Sequence, residues 1–261
     1  MRSLLCALAL GATLFSGRAA AEAISLGADR IPATLLKPDG AGPFPAVVMM
    51  HDCSGLGPSS SGAPGRWARE LLSQGYVVIL PDSFSTRGFP NGICTDASKR
   101  RFEVRPFVRA RDARAARGFL QTLPYVDKDR IGLMGGSHGG FTTLVALSGP
   151  GSGFAAAVAL YPRCQFSQQL KPDVPLLILI GELDDWTPAK ECVPLAGENV
   201  SVKVYPGAHH SFDSPRPKRY VAERINPSSP SGHGATTEGN ADAWADSIRQ
   251  VGDFFAKNLK R

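Results

Sequence analysis

A serine in a glycine-rich turn has the setting of a nucleophile. Residues 135–139 read Gly-Gly-Ser-His-Gly, which places Ser137 in a Gly-x-Ser-x-Gly pattern. An apolar run ends at Met134, directly before the pattern, and a helix-like segment follows it. A sharp strand-to-helix turn of this kind lifts the serine oxygen above a sheet, and small neighbours relieve its crowding. The sequence therefore predicts that Ser137 is a nucleophile, and a plain glycine-rich turn is the alternative.

Two later pairs of residues supply the partners that such a serine needs. A hydroxyl attacks well only when a base removes its proton, and a carboxylate must orient that base. Asp184 and Asp185 follow one strand-like run, and His209 and His210 follow the next. The order serine, aspartate, histidine suits this chemistry. Spacing alone leaves open which member of each pair acts.

Short apolar runs alternate with helix-length segments along the chain. The runs have the composition of strands buried on both faces. They cover residues 46–50, 77–80, 131–134, 156–160, 176–180 and 200–204. The helical segments cover 67–74, 106–122, 139–147, 189–196 and 242–259. The alternation predicts an α/β domain, with a mostly parallel sheet and helices on both of its faces.

The remaining segments are assigned by their turn residues. Residues 24–37 alternate loosely and end in a turn-rich stretch, which predicts an opening hairpin or edge strands. Residues 214–240 are rich in Pro, Ser and Gly and lack periodicity, which predicts a long surface loop. No repeat and no second domain is evident.

The first residues have the pattern of a signal peptide. Arg2 provides a basic start, residues 4–15 are apolar, and residues 19–21 are three alanines suited to cleavage. The apolar run is shorter than the roughly 20 residues that span a bilayer. We predict a signal peptide over 1–21, with cleavage after Ala23 as the alternative, and one α/β domain over 24–261. The protein would then be exported to the periplasm or outside the cell, without a stable membrane anchor.

Composition and charge exclude several other classes of protein. The chain has 43% hydrophobic and 20% charged residues, which is typical of a globular domain and not of a disordered or fibrous chain. Its net charge of +6 is spread out, apart from residues 99–101 and arginines at helical spacing within 105–117. A solvated helix face explains these better than a nucleic-acid site, so no nucleic-acid partner is expected.

Four cysteines lie beyond the predicted signal peptide. Cys53, Cys94, Cys164 and Cys192 are an even number in a chain predicted to leave the cytosol, which indicates two disulfides with three available connectivities. Neither Cys-x-x-Cys nor histidines at metal-ligand spacing occur, so no metal site is predicted. Attack by an activated serine needs no cofactor, so none is predicted.

Nearly the whole mature chain resembles the dienelactone hydrolase family of α/β-hydrolases. Residues 181–188 resemble its acid loop, in which the aspartate stands three residues after a glycine and four before a proline. This implies that Asp184, and not Asp185, orients the histidine. Residues 205–212 are similar to its histidine loop, whose histidine lies two residues before a phenylalanine, which implies His210 as the general base.

The segment 51–55 follows the first buried strand and resembles the oxyanion loop of this family. The resemblance implies that the backbone amides of Cys53 and His138 meet the charge that develops on the substrate oxygen. His51 would then bond locally rather than act as the base, and an exposed histidine without a role is the alternative. Cys94 lies in the loop after the next strand along the chain, and we predict a disulfide between Cys53 and Cys94.

The other two cysteines, Cys164 and Cys192, also follow neighbouring strands, and we predict that they pair. Each disulfide would tether a loop beside the active site.

One departure from the family bears on the substrate. The family's namesake carries cysteine where this chain has Ser137, so the expected activity is hydrolysis of carboxylic esters or lactones in general. Arg87 could meet a substrate carboxylate, and a solvated loop arginine is the alternative. Two other functions stay open, namely a serine peptidase and a non-catalytic binding protein that keeps the fold.

Overall fold

A computed structural model describes residues 21–149, 151–165, 167 and 169–260. The predicted signal peptide lies outside these residues except for Ala21, which begins the first strand. Across the described ranges, no helix combines the length and the apolar composition that crossing a membrane requires.

Eight strands form one mixed sheet. They are β1 (Ala21–Leu26), β2 (Ile31–Leu36), β3 (Phe44–Met50), β4 (Val77–Pro81), β5 (Val126–Gly136), β6 (Ala157–Leu160), β7 (Leu176–Gly181) and β8 (Val200–Tyr205). The strand order is β1-β2-β4-β3-β5-β6-β7-β8. Pairing is antiparallel from β1 to β4 and parallel from β4 to β8. The opening hairpin and the mostly parallel sheet are therefore confirmed.

Helices cover both faces of this sheet. They are α1 (Ala63–Ser73), α2 (Pro106–Leu120), α3 (His138–Ala146), α4 (Ala189–Cys192) and α5 (Ala241–Leu259). On β5, a Cβ at Gly132 would touch Phe255 of α5, whereas one at Gly135 would overlap α3. Since these glycines are an odd number of residues apart on one strand, α5 and α3 lie on opposite faces.

The helix expected over residues 189–196 is shorter than predicted. One α-helical turn, α4, is followed by a 3-10 turn over Val193–Leu195. Pro194 has no N–H to donate to the carbonyl four residues earlier, so the α-helix cannot continue.

The prediction of a structureless loop over residues 214–240 is wrong. This segment contains β9 (Arg219–Ile225) and β10 (His233–Thr237), which pair antiparallel. Every side chain of β9 is exposed or only half-buried, so the strand lacks the alternation that identifies a sheet with one buried face. A register shift between His233 and Ala235 further interrupts the pattern of β10.

The hairpin β9–β10 docks on the loops that follow the central strands. Asn226 donates from its amide to the carbonyls of Asp185 (2.9 Å) and Gly234 (2.7 Å). The Trp186 indole donates to the Ile225 carbonyl at 2.8 Å. The hairpin therefore forms part of the wall at the carboxyl ends of the sheet strands, where α/β folds place their sites.

Candidate active site

Ser137 occupies a strained turn between β5 and α3. Its φ of 54° and ψ of −117° lie in a region that residues with a side chain rarely adopt. The turn is possible because its neighbours are glycines. A Cβ at Gly139, for example, would overlap the Met50 carbonyl oxygen. The Ser137 amide donates to the Leu160 carbonyl at 2.9 Å, which ties the turn to β6. This geometry projects the hydroxyl above the carboxyl edge of the sheet.

The serine, histidine and aspartate inferred from the sequence lie in hydrogen-bond contact. Nε2 of His210 is 2.9 Å from the Ser137 hydroxyl oxygen, and Nδ1 is 2.7 Å from Oδ2 of Asp184. Ser137, His210 and Asp184 are 8%, 1% and 4% exposed, so all three are buried. An ionised Asp184 accepts the Nδ1–H, which leaves Nε2 free to accept the serine proton.

Backbone and side-chain donors orient the Asp184 carboxylate. Its Oδ1 accepts from the amides of Trp186 (2.9 Å) and Thr187 (2.8 Å). Its Oδ2 accepts from the Thr187 hydroxyl at 2.9 Å. Thr187 was not among the site residues expected from the sequence. An aspartate commonly accepts from amides two and three residues later, so a Thr at the third position is the signal that could have identified it.

The neighbours of the two active-site candidates have other partners. Asp185 accepts from the amide (2.8 Å) and hydroxyl (2.7 Å) of Thr236, and so anchors the β9–β10 hairpin. The ring of His209 lies 3.5 Å from the Glu238 carboxylate and forms no hydrogen bond with Ser137 or Asp184. Asp185 and His209 therefore have partners different from those of Asp184 and His210.

Two aromatic rings enclose the imidazole of His210. Tyr161 packs edge-on with 4.7 Å between ring centroids, and Trp186 lies tilted at 4.9 Å. The Tyr161 hydroxyl donates to the buried carboxylate of Asp213 at 2.9 Å. Burial first, and Asp213 second, raise the pKa of Tyr161 well above its ordinary value, so this hydroxyl stays a donor. The packing restricts the ring to the plane in which it reaches both partners.

His51 bonds locally, in the manner predicted. Its Nδ1 lies 2.8 Å from the Asp52 carbonyl, and its Nε2 accepts from the Ser83 amide at 3.2 Å. This assignment makes the ring neutral, because Nε2 acts as an acceptor. Burial first, and the nearby Arg109 cation second, hold the pKa of His51 well below its usual range. The same two causes lower the pKa of His138.

We predict that these two histidines make the fold sensitive to acid. In the unfolded chain each histidine protonates near pH 6.5, whereas in the fold His51 and His138 stay neutral to much lower pH. The unfolded state therefore binds more protons, and stability falls as pH drops below about 6.5. Each histidine should contribute about 1.4 kcal/mol per pH unit to this slope.

Urea unfolding at pH 7, 6 and 5 measures that slope. In His138→Asn the slope between pH 6 and 5 should decrease by about 1.4 kcal/mol per unit relative to wild type. Equal slopes in the two proteins would contradict the prediction.

The structure contains two disulfides, Cys53–Cys94 and Cys164–Cys192, with the predicted pairing. The first bond joins the loop after β3 to the loop after β4. The Ile93 amide donates to the Cys53 carbonyl at 2.7 Å beside it. The predicted oxyanion loop is therefore fixed on two sides.

We predict different consequences for the two disulfides. They close loops with separations of 41 and 28 residues, so removing either should cost roughly 4 kcal/mol of folding stability. Only Cys53→Ala/Cys94→Ala should also lower kcat, by about tenfold, because a loosened loop displaces the Cys53 amide. Chemical unfolding and ester kinetics on this variant and on Cys164→Ala/Cys192→Ala test both statements. Equal kcat values in the two variants would contradict the catalytic part.

A cavity of about 570 Å³ opens at Ser137. Its lining comprises Cys53, Ile93, Cys94, Arg101, Phe102, Arg105, Pro106, Phe107, Ser137, His138, Phe141, Arg163, Trp186, Thr187, Ile225 and Pro227. The wall combines aromatic and aliphatic side chains with arginines, and includes no carboxylate among its described residues. A space of this size suits a small organic molecule.

Arg87 does not line this cavity. Its guanidinium forms two hydrogen bonds with the Asp112 carboxylate, at 2.7 and 2.8 Å, and only 16% of its side chain is exposed. It is therefore neither the solvated arginine expected from the sequence nor a residue in contact with the space beside Ser137. Within the described part of the chain, no group of three or more His, Cys, Asp or Glu side chains could hold a metal ion.

Comparison with known proteins gives several matches. The putative carboxymethylenebutenolidase of Methylorubrum extorquens is 28% identical over 217 residues, which are 74% of this chain and 72% of that protein. The uncharacterized protein YcjY of Escherichia coli is 33% identical over 40% of this chain, and the match spans only 31% of its length.

Solved structures share the fold at low identity. The structure described as a putative dienelactone hydrolase from Klebsiella pneumoniae has a TM-score of 0.70 at 19% identity, over 92% of this chain and 100% of that one. The acylaminoacyl peptidase of Pyrococcus horikoshii has a TM-score of 0.65 at 14% identity, over 94% of this chain and 42% of that one. These likenesses establish the α/β-hydrolase fold.

A match to a protein family also covers most of the chain. The sequence model of the dienelactone hydrolase family matches residues 31–258, which include the whole candidate site. Together with the α/β-hydrolase fold and the strand-turn-helix around Ser137, this match leads to one conclusion. The chain belongs to the dienelactone hydrolase family and is a hydrolase.

Proposed function

We propose that this enzyme cleaves carboxylic esters or lactones through a triad of Ser137, His210 and Asp184. His210 Nε2 takes the hydroxyl proton while the serine oxygen attacks the ester carbonyl carbon. The amides of Cys53 and His138 stabilise the oxyanion. His210 then gives its proton to the departing alcohol oxygen, which leaves an acyl-enzyme. Water, deprotonated by the same histidine, attacks that ester and releases the acid.

The observation that carries this proposal is the pair of bonds on the His210 ring. One ring nitrogen lies 2.9 Å from the Ser137 oxygen and the other 2.7 Å from the Asp184 carboxylate. Bonding to Asp184 favours the tautomer with hydrogen on Nδ1, and only that tautomer presents a basic nitrogen to the serine.

The cavity wall favours substrates with an apolar body. Phe102, Phe107 and Trp186 offer aromatic surface beside the nucleophile. Arg101 and Arg105 would tolerate an anionic group on the substrate, since no described carboxylate lines the wall to repel it. We therefore expect aryl and medium-chain esters to be hydrolysed faster than acetates.

Labelling by a fluorophosphonate probe, together with a substrate panel, tests the proposed function. Mass spectrometry of the labelled protein should find the adduct on the peptide containing Ser137. The panel consists of p-nitrophenyl esters of increasing chain length, lactones and a peptide anilide. An unlabelled protein without esterase activity would overturn the proposal and favour a binding protein. Faster cleavage of the anilide than of any ester would instead favour a peptidase, in line with the peptidases that share the fold.

We also propose that the mature enzyme is exported. Two disulfides are compatible with an oxidising compartment. N-terminal sequencing of the protein from its native cells tests this, and a chain that retains residues 1–21 would contradict it.

A further inference from the structure

An arginine that the proposed mechanism does not use contacts both chain segments that carry the predicted oxyanion amides. Arg109 lies on α2 and is completely buried. Its Nη2 donates to the His51 carbonyl at 2.6 Å, and its Nη1 contacts Nδ1 of His138. A guanidinium only donates, so His138 accepts at this atom and stays neutral. The guanidinium also lies over the Phe84 ring, with Cζ 4.9 Å from its centroid.

The first bond acts on the loop that carries the Cys53 amide. Arg109 holds the His51 carbonyl, the His51 ring bonds the Asp52 carbonyl, and the Ile93 amide donates to the Cys53 carbonyl. Because a trans peptide is planar, the Cys53 N–H points opposite to the Asp52 carbonyl. Three successive carbonyls are thus held in place, and the direction of the Cys53 N–H follows from them.

The second bond acts on the other amide. His138 is the first residue of α3, where a backbone N–H has no acceptor within its own helix. The contact of Arg109 with the His138 ring holds the side chain of this residue in place. A single side chain therefore links the two chain segments, 51–53 and 137–138, that must keep a fixed separation to receive one oxyanion.

The burial of this cation needs an explanation. No Asp or Glu in the described ranges forms an ion pair with Arg109, and Asp112, one turn along α2, is engaged by Arg87. Its Nε finds no hydrogen-bond partner in the described structure. Burial, only partly opposed by Asp112 and Asp52, lowers the pKa of Arg109 to about 9. An uncompensated buried cation is destabilising, which is the kind of cost found at functional sites.

We propose that Arg109 is a positioning residue that keeps the Cys53 and His138 amides aligned as an oxyanion hole. The inference rests on the proposed function. Its buried positive charge also favours negative charge at the hole, because the interior screens weakly. We expect Arg109 to stabilise the tetrahedral intermediate more than it stabilises the bound substrate.

Substitution of Arg109 by methionine tests this, with Arg114→Met as the matched control. Arg114 lies on the same helix, is exposed, and donates to the Ala146 carbonyl at 3.1 Å, away from the site. With a p-nitrophenyl ester, Arg109→Met should lower kcat by about 100-fold and change KM by less than about threefold. Arg109→Lys, which keeps the charge but makes fewer bonds, should recover part of the loss. Arg114→Met should keep wild-type kcat.

The inhibition constant of a boronic acid distinguishes a damaged oxyanion hole from a simple loss of stability. The boronic acid forms a tetrahedral adduct on a serine oxygen and places a boronate oxygen in the hole. Its inhibition constant should rise in parallel with the loss of kcat in Arg109→Met, as transition-state analogues do. Wild-type kcat and boronate affinity in this variant would overturn the inference, while loss of activity in Ser137→Ala would still uphold the proposed function. Activity that persists in Ser137→Ala would overturn both.

Should Arg109→Met not fold, the Arg109→Lys variant carries the same comparison. Wild-type kcat together with wild-type boronate affinity in Arg109→Lys would again overturn the inference.

Discussion

Replacing Ser137 with alanine should lower kcat/KM for p-nitrophenyl esters by about 10⁴-fold or more. The substitution removes the oxygen that forms the acyl-enzyme, and His210 then has no proton to take. Stopped-flow kinetics should show loss of the initial burst of p-nitrophenol, and mass spectrometry should show no acylated protein. KM is not interpretable at such rates, so kcat/KM is the quantity to compare.

The fold should survive this change. Ser137 makes its backbone bonds to Leu160 and Phe141 at 2.9 Å each, and alanine retains both. The positive φ of 54° is about as unfavourable for alanine as for serine, so stability should change by less than about 1 kcal/mol. Circular dichroism and thermal melting provide the control. Retention of a tenth of the wild-type activity by a folded Ser137→Ala would show that another group is the nucleophile.

The second large effect is expected at Asp184. Asp184→Asn should lower kcat by about 10⁴-fold, because an amide in place of Oδ2 favours the histidine tautomer with hydrogen on the wrong nitrogen. The neighbouring substitution Asp185→Asn is the matched control. It should keep kcat within about threefold, since Asp185 bonds only to the hairpin residue Thr236 and the Asn226 amide. Its effect should be a lower melting temperature, through a loosened hairpin.

Steady-state kinetics on both variants, with one ester and at one pH, decide between the two aspartates. A loss of kcat in Asp185→Asn as large as that in Asp184→Asn would assign the orienting role to the pair rather than to Asp184. A tautomer effect also predicts that the pH dependence of the residual Asp184→Asn activity changes, whereas that of Asp185→Asn stays as in wild type.

Several features could be predicted because they depend on local physics. The strand-turn-helix around Ser137 follows from glycines that fit a strained turn after an apolar run. The parallel sheet follows from buried, β-branched runs at regular intervals, since strands covered on both faces need no alternation. The β9–β10 hairpin gave no such signal, because its first strand, Arg219–Ile225, has no buried face to impose alternation.

By itself, then, the sequence determined the fold class, the nucleophile turn and a short set of candidates for its partners. Spacing alone left Asp184 and Asp185 open, and the family resemblance favoured Asp184. The tertiary structure gives them different partners, because Asp184 bonds His210 and Asp185 bonds Thr236. It also brought Arg109 against two chain segments up to 58 residues away. The physical reason is the same in each case. The backbone conformation of a residue depends on its neighbours in sequence. The partner of a side chain depends instead on distant strands that meet at one edge of the sheet.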